Sequence, residues 1–197
     1  MNSRLVIFDF DGTLTYKDSM LEFAKFYRGK WRYRLGIFLI SPILLAYKLG
    51  LMPNWQAKQY FLQFFFRGEP LHRFQNKCDE FARDKLPLIV RKEALQQLQL
   101  HQQENDQVVI ISASAENWLM AWCRALNVNL IASRLQVREN HITGNLSGPN
   151  CYGVEKLNRL REKYNPKSFS EIIVYGDSKG DAALFEIATK IFYKPFR

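Results

Sequence analysis

The sequence predicts an α/β fold in which helices flank a doubly wound parallel sheet, with a separate helical unit inserted near the start. Two observations predict the sheet: short apolar runs end in polar or charged residues, and helical patterns alternate with these runs. One observation predicts the insertion, because residues 16–87 contain long helical patterns but no strand-like run. At 197 residues the chain can form one core with such an insertion, but not two large domains.

Apolar runs and helical periodicity place the elements of the predicted core. Strands are expected at four apolar runs, residues 4–9, 107–112, 129–133 and 171–177. Helices are expected where apolar residues recur at helical spacing, at residues 88–104, 116–126 and 154–164. Residues 134–146 alternate polar and apolar around a polar turn, which predicts a hairpin at the edge of the sheet.

The insertion sets the expected domain division. The core comprises residues 1–15 and 88–197, and the helical unit comprises residues 16–87. The chain starts with an apolar run and two aspartates, which is not the pattern of a signal peptide. Its three cysteines lack the spacing of a disulfide framework or a zinc site, so we expect a cytoplasmic protein.

Basic charge is concentrated in the insertion. The formal net charge is +9, and the segment between Glu22 and Glu69 contains basic residues but no acidic residue. We therefore expect a negatively charged partner: an anionic substrate, acidic lipid headgroups or nucleic acid. Nucleic acid is disfavoured, because no nucleic-acid-binding signature accompanies the charge.

The apolar stretch from Arg28 to Gly50 raises the question of a membrane span. Its uncharged part, Leu35 to Tyr47, is shorter than the ~20 residues that cross a bilayer, and Pro42 interrupts a regular helix. We expect a helical hairpin whose apolar faces pack on the other inserted helices. The alternative is an interfacial helix, basic at its start, with apolar residues among acyl chains.

Two aspartates close the first predicted strand. In FDFDGTLT, residues 8–15, Asp9 and Asp11 are two residues apart and can address one site, while Gly12 permits the sharp turn that follows. Paired carboxylates at the carboxyl edge of a parallel sheet suit a divalent metal, or a nucleophile with an acid/base partner. A strand that simply ends in a polar turn explains the pattern equally well.

Three further signals lie at equivalent places in the predicted core. Ser112 ends the second strand, where a hydroxyl and backbone N–H groups can hold a phosphate oxygen. Lys156 lies in the first turn of a helix, where a cation is unfavourable unless an anion is close. Asp177 and Asp181 follow the last strand. Each signal alone fits a helix cap, a loop or a surface charge, but together they converge on the sheet edge where such folds bind ligands.

The motifs DxDGT, Ser, Lys and GDxxxD, in this order, resemble those of the haloacid dehalogenase superfamily of hydrolases. The match covers roughly residues 4–15 and 88–193, and residues 143–156 further resemble the phosphoserine phosphatase branch. The resemblance implies a Rossmann-like core of the haloacid dehalogenase type, and it identifies the inserted helices as a C1-type cap.

The resemblance also implies a Mg²⁺-dependent phosphomonoester hydrolase. Asp9 would be the nucleophile that forms an aspartyl phosphate, and Asp11 would protonate the leaving oxygen and then activate water. Mg²⁺ would be bound by the carboxylates of Asp9 and Asp177 and the backbone carbonyl of Asp11. The residues implied to bind phosphate are Gly12, Thr13, Ser112 and Lys156, with Ser178 and Asp181 in support.

Substrate choice is implied to lie in the inserted helices. Where phosphoserine phosphatases carry a glutamate after the first motif this sequence has Asp18, which argues against phosphoserine. The candidate specificity residues are Asp18, Arg28, Arg32 and Arg34. The expected substrate is a small or lipid-linked phosphate ester.

Two alternative functions remain open at this point. One is a lipid-phosphate phosphatase or binding module in peripheral contact with the anionic inner face of a membrane. The other is a phosphotransferase that passes the aspartyl phosphate to an alcohol. The sequence does not determine the oligomeric state.

Overall fold

The computed structural model describes residues 4–197, so residues 1–3 of the expected core lie outside the described part. The strands of this part are β1 (Arg4–Phe8), β2 (Gln107–Ala115), β3 (Asn129–Ser133), β4 (Leu135–Arg138), β5 (His141–Leu146), β6 (Glu171–Gly176) and β7 (Lys190–Tyr193). Five of them form a parallel sheet in the order β3-β2-β1-β6-β7. The winding direction changes between β1 and β6, which is where open α/β sheets bind ligands. The predicted doubly wound α/β fold is confirmed.

Helices cover both faces of this sheet. The helices of the described residues are α1 (Ser19–Arg28), α2 (Lys30–Lys48), α3 (Asn54–Phe66), α4 (Leu71–Asp84), α5 (Lys92–Gln103), α6 (Glu116–Ala125), α7 (Val154–Lys163) and α8 (Ala182–Phe185). Successive residues of β1 point to opposite faces. Val6 therefore packs in the cluster that contains α5 and α6, whereas Leu5 packs with Leu157 and Leu160 of α7.

The predicted core elements agree with the structure except at a few boundaries. α6 and α7 end one residue earlier than predicted, and β2 continues three residues further, to Ala115. α5 starts at Lys92, because Leu86–Leu88 form a separate 3-10 turn. β7 was not predicted. It is a short and largely exposed edge strand, so its sequence lacks the apolar run of a buried strand.

The prediction that places the hairpin at the edge of the main sheet is wrong. β4 and β5 form their own antiparallel sheet, in which β5 packs against α3. Gly144 allows this contact: its φ is +81°, and a Cβ there would lie 2.4 Å from the Cα of Gln63. The Gln63 side chain donates to Asn145 Oδ1 over 2.6 Å. The hairpin is therefore attached to the inserted helices.

Helices α1–α4 form an insertion between β1 and β2. The chain leaves and re-enters the core at one point, where Thr15 and Val90 form an antiparallel bridge and Arg91 N donates to Leu14 O over 2.8 Å. The insertion packs on the core through aromatic rings. The ring of Phe23 in α1 stacks on Trp118 of α6 with centroids 5.1 Å apart.

The prediction of a helical hairpin in the apolar stretch is also wrong, because α2 runs unbroken from Lys30 to Lys48 with Pro42 inside it. A proline in a helix leaves the carbonyl four residues earlier without its N–H donor. Here that carbonyl belongs to Phe38, and the Ser41 hydroxyl donates to it over 2.7 Å. The serine thus replaces the lost hydrogen bond.

Among the helices of residues 4–197, none has the length and apolar character needed to cross a bilayer.

We expect Gly144→Ala to lower the free energy of unfolding by about 1–3 kcal/mol more than Gly148→Ala. Both glycines have positive φ, +81° and +85°, so both substitutions strain the backbone. Only at Gly144 would the added methyl group also collide with α3. Urea unfolding of both variants measures the difference. Equal losses would contradict the close contact between the hairpin and α3.

Candidate active site

The loop after β1 meets the loop after β6 at a glycine. Asp9 follows β1 directly, and its backbone N–H donates to Tyr175 O over 2.9 Å. Gly12 in the next turn has φ +87°, and a Cβ there would lie 2.4 Å from Asp177 Oδ2. Only glycine accommodates both the positive φ and the close approach of Asp177. Gly12 therefore lets the loop that carries Asp9 lie against the loop that carries Asp177.

Lys156 joins two buried carboxylates. Its Nζ lies 2.6 Å from Asp9 Oδ1 and 2.6 Å from Asp181 Oδ1, and the three residues are 2%, 6% and 0% exposed. Burial disfavours the charged lysine, but the attraction of both carboxylates outweighs it and raises the pKa of Lys156. Burial raises the pKa of Asp9 to about 7, against the opposing effect of Lys156. Lys156 therefore remains a cation beside Asp9.

Asp181 is fixed by hydrogen bonds on both oxygens. Oδ1 accepts from Lys156, and Oδ2 accepts from the backbone N–H groups of Asp177 and Ser178 over 3.2 and 3.1 Å and from the Ser178 hydroxyl. Asp181 thus orients Lys156 and shapes the loop that carries Asp177.

Asp11 is oriented from two sides. Oδ1 accepts from the backbone N–H of Ser19 over 2.6 Å, and Oδ2 accepts from the Ser114 hydroxyl over 2.6 Å. The hydroxyl of Ser19 donates to Ser114 over 3.0 Å, and the Trp118 indole donates to Ser19 over 3.2 Å. This chain of donors fixes one Asp11 oxygen as an acceptor. Sequence reasoning did not identify Ser19 or Ser114.

A cavity of about 330 Å³ lies next to Asp9, Asp11 and Lys156. The residues predicted from sequence that line it are Asp9, Asp11, Asp18, Ser112, Lys156 and Ser178. The buried Ser112 hydroxyl accepts from Ser114 N over 3.0 Å, and the Thr13 hydroxyl lies 3.4 Å from Asp9 Oδ2. A larger open depression of about 690 Å³ lies at the amino ends of β2 and β3, away from these side chains.

The inserted helices supply the other wall of this cavity. The apolar residues of this wall are Met20, Leu21, Leu44, Tyr47, Ala57 and Phe61. Asp18 adds a carboxyl group; the residue is exposed, but partial desolvation of this group at the cavity, followed by the nearby Asp11, raises the pKa of Asp18 to about 6. The structure does not bring Arg28, Arg32 and Arg34 to the cavity. Arg28 pairs with Glu69 over 2.8 Å, and the other two lie exposed on α2.

Lys58 is a second buried cation of the cavity, and sequence reasoning missed it. Its Nζ donates to Ala113 O, to Asn150 Oδ1 over 2.8 Å and to Ser133 Oγ over 3.3 Å, which uses all three N–H groups. Burial lowers the pKa of Lys58 to about 8. Lys58 therefore ties α3 to the ends of β2 and β3.

A signal for Lys58 exists in the sequence. Lys58, Phe61, Leu62 and Phe65 recur at helical spacing, so the lysine lies on the apolar face of α3. A lysine on such a face needs a polar partner in the core.

The carboxylates provide ligands that suit a divalent cation. Oxygens of Asp9, Asp177 and Asp181 lie within 4.8 Å of one another. Asp181 accepts four hydrogen bonds and is fully buried, whereas Asp9 accepts two, so Asp9 and Asp177 are the more accessible ligands. The Arg197 guanidinium contacts Asp177 and lies 3.4 Å from Gly12 O, so positive charge is favoured at this position. Two carboxylates, from Asp9 and Asp177, are the kind of hard oxygen ligand that Mg²⁺ prefers.

Comparison with known proteins identifies related chains. A family model described as haloacid dehalogenase-like hydrolase matches residues 6–186. Protein CicA of Caulobacter vibrioides is 33% identical over 195 residues, which cover 98% of this chain and 86% of CicA.

Solved structures share the fold. A Bordetella pertussis Tohama I protein of unknown function has a TM-score of 0.85 and 23% identity, over 98% of this chain and 90% of that chain. A phosphoserine phosphatase, in the form of a phospho-aspartyl intermediate analogue, has a TM-score of 0.71 and 17% identity, over 98% and 87% of the two chains. At these identities the structures establish the common fold.

In the presence of a chelator, we expect the stability of Asp9→Asn relative to wild type to increase from pH 5 to pH 7.5. Folding raises the pKa of Asp9 from 3.8 to about 7, so in this window the native state holds a proton that the unfolded state has lost. Wild-type stability therefore falls as pH rises from about 4 to about 7, and asparagine removes this loss. Urea unfolding at both pH values measures the effect.

The control is Asp84→Asn, which changes an exposed carboxylate. It should show the same pH dependence as wild type. A pH-independent difference between Asp9→Asn and wild type would contradict the assignment of a raised pKa to Asp9.

Proposed function

This chain belongs to the haloacid dehalogenase-like hydrolase family, and from that premise we propose that it is a Mg²⁺-dependent phosphomonoester hydrolase. The observation that carries the proposal is the arrangement of Asp9, Asp11 and Lys156 around one cavity. Transfer of a phosphoryl group needs a nucleophile in line with the leaving oxygen, a proton donor and positive charge around the phosphoryl oxygens. These three residues supply all three requirements.

The phosphoryl group binds beside Asp9 in this proposal. Lys156 has three N–H donors, of which Asp9 and Asp181 use two, so one remains for a phosphoryl oxygen. Ser112 and the loop residues Gly12 and Thr13 complete the phosphate-binding set. Because the carboxylate of Asp9 and the phosphoryl group are both negative, the buried Lys156 lowers the cost of bringing them together.

Asp9 attacks the phosphorus atom with a carboxylate oxygen. A bond forms between this oxygen and phosphorus as the bond to the leaving oxygen breaks, and Asp11 transfers its proton to the leaving oxygen. Asp11 then accepts a proton from a water molecule. This water attacks the aspartyl phosphate, which releases inorganic phosphate and regenerates Asp9. The hydrogen bonds from Ser19 and Ser114 hold Asp11 in the orientation that both proton transfers need.

Mg²⁺ would be held by the carboxylates of Asp9 and Asp177 and the backbone carbonyl of Asp11. When bound, it neutralises negative charge on the transferred phosphoryl group. Gly12 is needed for this site because any larger residue would displace Asp177.

We propose that residues 16–87 form a cap over a core of residues 1–15 and 88–197. The cavity wall from α1, α2 and α3 is mainly apolar, with Asp18 and Lys58 as its charged members. A volume of about 330 Å³ fits a small phosphate ester, or the head of a lipid-linked one, with an apolar group next to the phosphate. Arg28, Arg32 and Arg34 do not line this cavity, so the proposed specificity site retains only Asp18 of the predicted set.

Wild-type protein should release phosphate from an aryl phosphate in the presence of Mg²⁺. This release should stop when a chelator removes the metal. Asp9→Asn should lower the rate by about 10³-fold or more, because the amide is not a nucleophile for this reaction. A colorimetric phosphate assay measures the rates, with Asp84→Asn as the folded control. Comparable rates for wild type and Asp9→Asn would contradict the proposal.

Asp11→Asn should accumulate phosphorylated protein. An aryl leaving group departs without a proton donor, so the first step continues, whereas the second step lacks the base that activates water. Intact-protein mass spectrometry after an acid quench should show the mass of one added phosphoryl group. The double variant Asp9→Asn/Asp11→Asn should show none. If the Asp11→Asn variant hydrolysed the aryl phosphate without accumulating phosphorylated protein, this role of Asp11 would be ruled out.

A further inference from the structure

The outward side of α2 carries an exposed apolar stripe. Its members recur at spacings of four and three residues, which places them on one face of the helix: Trp31, Leu35, Phe38, Pro42, Leu45 and Leu49. Trp31 is 81% exposed and Phe38 is 74% exposed. Monomeric proteins rarely leave a contiguous apolar surface of this kind in water.

The opposite side of α2 is fixed to the rest of the molecule. Gly36 and Ile40 are its buried residues, and a Cβ at Gly36 would lie 2.7 Å from the ring of Phe65 in α3. Close packing at this glycine determines which side of α2 faces out. The exposed stripe is therefore a consequence of how the helix packs.

Cations border the stripe on both sides. Lys30, Arg34 and Lys48 lie along one side and Arg32 along the other, and all four are exposed. The structure of residues 4–197 gives none of the four an ion pair. The guanidinium of Arg34 lies 5.6 Å above the ring of Trp31. The stripe thus lies in a field of uncompensated positive charge.

We infer that the outward face of α2 docks on the surface of an anionic lipid bilayer. The helix lies flat on the bilayer, with the rings of Trp31 and Phe38 among the acyl chains and the flanking cations at the level of the phosphate groups. With 19 residues, α2 is about 28 Å long, which gives a contact along its whole length. Apolar burial and charge attraction then act on the same face.

Charge favours lipid over a second copy of this chain. Two copies facing each other through α2 would bring their flanking cations together, and the sequence has no acidic residue between Glu22 and Glu69 to pair with them. Like charges in contact oppose such a dimer. An anionic bilayer supplies the missing negative charge in any orientation around the helix axis.

The same helix connects this surface to the cavity. Leu44 and Tyr47 of α2 line the cavity, whereas Leu45 and Leu49, each one or two residues further along, belong to the exposed stripe. Docking would hold the cavity wall next to the lipid surface. The docking inference itself does not depend on the proposed phosphatase activity.

Flotation of the full chain with vesicles tests the inference. Wild-type protein should float with phosphatidylcholine vesicles that contain phosphatidylserine, and remain unbound with phosphatidylcholine alone. Raising the salt concentration should weaken binding, because it screens the charge attraction. The variant Trp31→Ser/Phe38→Ser/Leu45→Ser should lose most of the binding. The matched apolar control is Leu88→Ser/Leu100→Ser/Val154→Ser, at three residues that are 66%, 49% and 65% exposed elsewhere on the surface.

Charge reversal gives a second test. Arg32→Glu/Arg34→Glu/Lys48→Glu should weaken partitioning into anionic vesicles by at least about 100-fold. The control reverses three exposed cations elsewhere, at Arg124, Arg161 and Lys167, and should keep most of the binding although its net charge is the same. Circular dichroism and urea midpoints establish that each variant is folded.

Three outcomes would overturn the inference. One is equal flotation with neutral and anionic vesicles, and another is equal loss of binding in the matched controls. The third is a dimer in analytical ultracentrifugation that the stripe variant dissociates while no variant floats, which would assign this face to a second copy. None of these measurements uses catalysis, so failure here and failure of the proposed function are distinguishable.

Discussion

The contact of Lys156 with Asp9 and Asp181 is the interaction on which the rest of the site depends. A carboxylate buried alone is costly, and two of them close together are more so; one ammonium group at 2.6 Å from each offsets part of this cost, although burial still raises the pKa of Asp9. The contact also joins α7 to the loops that follow β1 and β6, at the point where the winding of the sheet reverses. One buried lysine therefore holds the candidate nucleophile in position and favours its charged form against the effect of burial.

Much of the core could be predicted from the sequence, because its strands are buried. Apolar runs that stop at charged residues indicated β1 and β6 and the aspartates that follow them. Since the carboxyl ends of parallel strands share one edge, Asp9 and Ser112 could be expected near one another, and the order of the four motifs added Lys156 to them. The structure places all three around one cavity.

The remaining features depend on contacts that local patterns do not contain. Lys58 finds its partners Ser133 and Asn150 far along the chain, and the hairpin is displaced from the sheet because Gly144 permits close contact with α3. α2 continues through Pro42 because the neighbouring serine supplies the missing donor. Local residue preferences predict that a buried lysine or a proline within a helix is unfavourable. They do not include the tertiary contacts that stabilise these residues here.

The hydrogen bond from Ser19 N to Asp11 has a consequence for exchanging parts between proteins. The sequence places the start of the insertion at residue 16, and a chimera built at that junction would replace Ser19 together with the helices. The recipient would keep both aspartates of the first motif, but the backbone N–H that donates to Asp11 Oδ1 would then come from the foreign segment and would depend on how its first turn is placed. A graft that preserves this geometry must therefore include the first turn of α1 with the core, although that turn belongs to the inserted segment by sequence.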